Sequence, residues 1–150
     1  MELTILSTAL GLCIAGAVFP WISAEVVLVG AVAALPPGWG AMAVVTCATG
    51  QVAGKVGIYG LVRGAPERLP ERAASLLSRA EGLASRPRLL AAAVLSGSAV
   101  ALPPLYLITL ASGLARLPLA LFVGAAMTGS LLRYGALVWG VGMLGMGGAG

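Results

Sequence analysis

Glu25, Lys55 and Arg133 are charged residues set inside long apolar runs, and their chemistry is the hardest to explain as packing. Glu25 follows Pro20 within Trp21-Ile22-Ser23-Ala24-Glu25-Val26-Val27-Leu28. Glu2 is terminal and Glu67, Glu71 and Glu81 fall in a polar stretch, so Glu25 is the single acid in an apolar run. A charge at membrane depth costs about 2.5–3.5 kcal/mol even on the mildest scale, so it needs a partner or a function. Desolvation and a neighbouring cation pull a carboxyl's proton affinity in opposite directions, which suits Glu25 to reversible protonation. The plainer reading is a structural ion pair with Lys55 or Arg133, and the two readings are compatible. Arg133, between Gly129 and Tyr134, could balance Glu25 or hold a lipid phosphate.

Gln51, Lys55, Tyr59 and Arg63 recur at four-residue intervals and form a polar stripe along one helix face. Lys55 and Arg63 could instead snorkel to headgroups, the better reading for Arg63. Gly50 with Gly54, and Gly60 with Gly64, are small-xxx-small steps that report close helix packing. Cys13 and Cys47 each lie in an apolar run and read as small packing residues. The chain has no His and no Asp, which removes Ser-His catalysis and a metal centre built around His. A Ser-Lys dyad on Lys55 has no serine marked out for it. The expectation is therefore no enzyme, no metal and no cofactor.

These residues need elements to hold them, and composition says what kind. The chain is 59% hydrophobic and 9% charged, with a mean hydropathy of +1.02. Soluble domains carry about 25% charged residues. Lipid is the solvent such a surface requires, and an all-α integral membrane protein is the expectation. Glycine, at 22 residues, suits closely packed membrane helices. The net charge of +4 lies between apolar runs, which points to a membrane surface and away from nucleic acid. The first basic residue is Lys55, so the N-terminal run lacks a signal peptide's basic region and reads as mature structure.

The chain divides into a first repeat (1–62), a basic loop (63–88) and a second repeat (89–150) within one membrane domain. A membrane span needs about 20 apolar residues. Residues 3–35 are too many for one upright span and too few for two with a turn. Pro20 divides them into arms 3–19 and 22–35, a pattern that predicts a re-entrant helical hairpin with Pro20 near its tip. Arms 89–102 and 105–115 flank Pro103 and Pro104 in the same manner. Full spans are expected over 41–62 and 119–144, each with one internal cation. Pro20 precedes Gly30 by the same interval that separates Pro103 from Gly113. Hairpin then span, twice, predicts an inverted repeat of the kind transporters use.

Arg63, Arg68, Arg72, Arg79, Arg86 and Arg88 place the central loop in the cytoplasm. With re-entrant hairpins both termini are external and Arg116 is internal, whereas four plain spans would put Arg116 outside. Within the loop, Leu69, Ala73, Leu76, Leu77, Ala80, Leu83 and Ala84 recur at helical spacing. They predict either a short amphipathic helix on the inner headgroups or a solvated connector helix.

The run from Pro20 to Leu28, followed by Gly50-xxx-Gly54-xxxx-Tyr59-xxx-Arg63-Gly64, resembles the first half of the DedA family, the bacterial VTT-domain membrane proteins. Pro103-Pro104-Leu105-Tyr106, Ser112-Gly113-Leu114, Phe122 and Gly129-xxx-Arg133-Tyr134 extend the resemblance over nearly the whole chain, most like the short members built of one VTT unit. The resemblance implies paired re-entrant hairpins and movement of polyprenyl phosphates or phospholipids between leaflets. Its hairpin acid would map onto Glu25. The chain departs from the family in carrying a cation at Lys55 and no charge from Val94 to Leu110. The expectation is a lipid or lipid-phosphate flippase or scramblase of the bacterial cytoplasmic membrane. Membrane lipids and protons are its partners, Glu25 couples protons, Arg133 and Lys55 attract phosphate, and a homo-oligomer is one open arrangement. A non-transporting assembly protein or partner-dependent subunit is the main alternative, and a small-solute transporter a third.

Overall fold

Proline placement decides where the helices stop, because proline pushes the residue before it out of the helical region. The computed structural model describes residues 1–19, 21–64, 86–100 and 105–147. Its elements are all helical, with no strand among the described residues. Helix α1 spans Glu2–Val18 and closes at Phe19, extended at φ −105 and ψ 104 ahead of Pro20. Helix α2 spans Ala24–Ala34 and closes in the same way at Leu35, with φ −91 and ψ 152 ahead of Pro36. The chain then turns: the Trp39 N–H donates to the Pro36 carbonyl at 3.2 Å. Gly38 stands at φ +96, a left-handed conformation that glycine adopts without steric cost. Helices α3 (Gly40–Gly64), α4 (Pro87–Val100), α5 (Leu105–Leu114) and α6 (Leu119–Gly147) follow.

The helices fall where the prolines and apolar lengths place them. By length and composition, Gly40–Gly64 and Leu119–Gly142 could each cross a membrane. The expected tips at Pro20, Pro103 and Pro104, and the loop helix over 70–85, lie outside the described residues.

Two compact units organise the chain, one of residues 1–54 with 130–150 and one of residues 55–129. Each takes one pair of short helices and parts of both long ones. In the first, α1 packs on α2 and also crosses the middle of α3 at close range. A Cβ on Gly50 would stand 2.7 Å from the Leu10 carbonyl oxygen and 2.9 Å from the Cys13 Cβ. One on Gly54 would stand 2.7 Å from the Ile14 carbonyl oxygen and 2.5 Å from the Ala17 Cβ. The crossing advances along both helices together, so α1 and this part of α3 run parallel. Cys13 and Cys47 lie in the seam, both fully buried. Small side chains let the backbones approach, and dispersion attraction, tiny for each atom pair, becomes large when summed over such a seam.

In the second unit α4 opens on Pro87, whose missing N–H costs nothing at a first helical position, and it packs on α5. It crosses the early part of α6 through Gly129. A Cβ there would meet the Leu95 carbonyl oxygen at 2.5 Å, the Ser98 Cβ at 2.7 Å and the Ala99 nitrogen at 3.1 Å. Gly50 stands in the same relation to Leu10, Cys13 and Ile14 in the first unit. Helix α5 ends in a Schellman turn. The Leu117 N–H donates to the Ser112 carbonyl at 3.0 Å and the Arg116 N–H to that of Gly113 at 3.2 Å, with Arg116 at φ 51. Leu117 is buried beneath the turn, and the Pro118 carbonyl starts the bonds of α6.

Candidate functional site

Glu25 occupies the first turn of α2, where the unpaired N–H groups of the helix favour a carboxylate. Ser23 caps that turn, its Oγ accepting from the Val26 N–H at 3.4 Å and donating to Glu25 Oε2 at 2.6 Å. The Arg133 guanidinium forms an ion pair with Glu25 Oε1, and the two side chains keep 21% and 28% of their surface exposed. Arg133 also lies over the ring of Tyr134, 5.6 Å from its centroid. Of the two cations that could have balanced Glu25, the partner is therefore Arg133. An arginine fork and a carboxylate beside a serine hydroxyl make a site that can exchange one anion for another.

Lys55 is 6% exposed, and no ion pair or hydrogen bond to its ammonium occurs among the described residues. The Nζ is nevertheless not an enclosed atom, so the stem is buried while the ammonium keeps access to the surface. Four residues earlier, Gln51 is also buried. Its Nε2 would be 3.5 Å from a Cβ on Gly16, and the Ile22 carbonyl would be 2.7 Å from the same point. Gln51 therefore faces the chain that leads from α1 towards Ser23.

Tyr59 is the most connected residue of the stripe. Its hydroxyl donates to the Leu117 carbonyl and accepts from Arg63 Nη1 at 2.6 Å, and its ring stacks on Phe122 at 5.0 Å. Gly113 makes room for this, since a Cβ there would stand 2.9 Å from the Tyr59 carbonyl oxygen. Arg63 itself is exposed. Along α3 the stripe thus turns inward at Gln51, Lys55 and Tyr59 and outward at Arg63.

Two features went unread in the sequence. Cys13 and Cys47 are both free, both fully buried, and their thiols lie against each other. The available signal was the four-residue run of small residues through Ala9, Cys13 and Ala17, matched by Ala43 and Cys47. Ser98 Oγ is the second, a buried hydroxyl with no hydrogen-bond partner among the described residues. No cluster of three or more His, Cys, Asp or Glu suited to a metal occurs among the described residues. Comparison with protein families, characterised proteins and solved structures gives no match to this chain.

Proposed function

We propose that this chain moves a lipid or lipid phosphate between the leaflets of the bacterial cytoplasmic membrane, as a flippase or scramblase. The observation that carries the reading is the ion pair between Glu25 and Arg133 among apolar helices. Keeping such a pair at membrane depth costs desolvation that apolar side chains would avoid. The pair is only partly enclosed, so it can open. A proton on Glu25 frees Arg133, whose planar fork then takes a phosphate. Loss of the proton lets the carboxylate displace the phosphate again. Lys55, with no ion pair among the described residues, supplies a second positive charge for the same class of ligand.

The topology that serves this reading is two re-entrant hairpins entering from opposite faces, in an inverted repeat. Helix α2 has 11 residues and reaches about 17 Å, well short of a hydrocarbon core of about 30 Å. The matching crossings at Gly50 and Gly129 support a repeated plan. Large apolar side chains exposed on the helices, including Trp21, Val26, Leu61 and Trp139, fit a lipid surround. The residue pattern shared with the DedA family points the same way. Reporter fusions at Met1 and Gly150 should both be external, and a cytoplasmic C-terminus with an external Arg116 would sink the hairpins.

The functional test is purified protein in liposomes, following a labelled phospholipid and a labelled polyprenyl phosphate between leaflets. Wild type should move one of them without any added protein, and well-folded Glu25→Gln should not. The amide keeps the shape of the side chain but cannot titrate. Full activity in Glu25→Gln would refute proton coupling. Inactive wild type would favour an assembly role or a required partner.

A further inference from the structure

We infer that Cys13 and Cys47 form a dithiol pair that closes to a disulfide and ties α1 to α3. The two residues are far apart in sequence, yet their side chains meet on the α1–α3 crossing within one compact unit. Both are free thiols with no exposed surface. Disulfides need Cα atoms within about 4.4–6.8 Å and Cβ atoms facing each other. The Gly50 backbone, one turn beyond Cys47, approaches so closely that a Cβ there would be 2.9 Å from the Cys13 Cβ. Parallel helices at that separation bring neighbouring side chains into the same seam.

Packing alone does not call for two sulfurs at this point. The corresponding crossing of the second unit sets Ser98 against Gly129, with no cysteine anywhere in that unit. A small side chain satisfies the geometry there. The thiols of the first unit add something a serine cannot, a reversible covalent bond.

The step is an oxidation with a small oxidant of the peroxide class. One thiol attacks hydrogen peroxide, breaking the O–O bond to give a sulfenic acid and water. The second thiol attacks that sulfur, the S–S bond forms, and a second water leaves. Two thiols lose two electrons and two protons in all, and the peroxide is reduced to two waters. The bond would hold α1 on α3 next to Gly16, where the chain turns towards Ser23 and Glu25. A slowing of lipid movement by that restraint rests on the proposed function; the bond itself does not.

The test uses the full chain in liposomes of phosphatidylethanolamine and phosphatidylglycerol, treated with hydrogen peroxide, quenched, denatured, alkylated and weighed. The expected product is a monomer lighter by two hydrogens that takes no alkylating agent until dithiothreitol is added. Its unfolding midpoint should rise by about 5–10 °C, reversibly, and not in Cys47→Ala. Two alkylated thiols, a mass gain from added oxygen, or a covalent dimer would each overturn the proposal. Lipid movement should slow on oxidation in wild type only. Equal rates before and after would remove the restraining role. No movement in either state would refute the transport reading, with the bond still decided by mass.

Discussion

Arg63 donates a 2.6 Å hydrogen bond to the hydroxyl of Tyr59 one turn earlier on α3, and that hydroxyl donates onward to the carbonyl of Leu117. The arrangement uses the phenol as both acceptor and donor in a buried place. Tyr59→Phe keeps the ring on Phe122 but leaves the Leu117 carbonyl without its donor. A buried polar group left unpaired costs about 1–3 kcal/mol. The unfolding midpoint in detergent should fall accordingly. An unchanged midpoint would mean that water replaces the hydroxyl.

Glu25 and Arg133 give a second prediction, by double-mutant cycle. Glu25→Ala removes the carboxylate and strands the guanidinium, a loss of about 3–5 kcal/mol when one partner of a buried pair goes. The partial exposure of both side chains places the result at the lower end. Arg133→Gln in the same chain should recover most of the lost stability, measured as folded yield and unfolding midpoint. Independent, additive losses would show that the two side chains do not stabilise each other.

Lys55 separates stability from function. Met fills a similar volume and needs no counter-charge, so Lys55→Met should raise the unfolding midpoint. If Lys55 helps hold a lipid phosphate, the same variant should move lipid more slowly. A stabilised protein with undiminished lipid movement would remove Lys55 from any role in binding phosphate.

Two glycines of α3 should respond in opposite ways to one added methyl. Gly50→Ala places a Cβ 2.7 Å from the Leu10 carbonyl oxygen, so α1 must shift away from α3. Overpacking of this kind costs about 1–3 kcal/mol. Gly57, on the same helix, has open space where a Cβ would stand, with no atom of the described residues within 4 Å. Gly57→Ala should stabilise by about 0.5–1 kcal/mol through chain entropy alone. Circular dichroism melts of the two variants in one detergent would make the comparison.

Helix ends were legible in the sequence because prolines mark them. Phe19 before Pro20 and Leu35 before Pro36 take the extended backbone that a following proline favours, and the helices stop there. The buried direction of each helix was far less legible. An amphipathic helix announces its inner face by periodicity, but helices apolar all round carry no such contrast. Only the rare polar residues broke the uniformity, which is why Glu25 could be marked as the partner of Lys55 or Arg133, and the ion pair selects Arg133. Lys55 could not be assigned, since its spacing from Arg63 fits a buried stripe and a snorkelling pair equally well. Nor could the meeting of Cys13 and Cys47, since parallel packing of α1 on α3 is a tertiary fact.

The turn at Arg116 sets how α5 can move. Arginine holds a left-handed φ of 51 there, and the next residue, Leu117, offers its carbonyl to Tyr59 on α3. One end of α5 is thus bolted to a long helix through a turn whose N–H groups at Ala115, Arg116 and Leu117 are all bonded. The joint acts as a fixed pivot. Any tilt of α5 within its unit swings the opposite end at Leu105 through the widest arc and leaves the pivot still, as a door moves most at the edge furthest from its hinge.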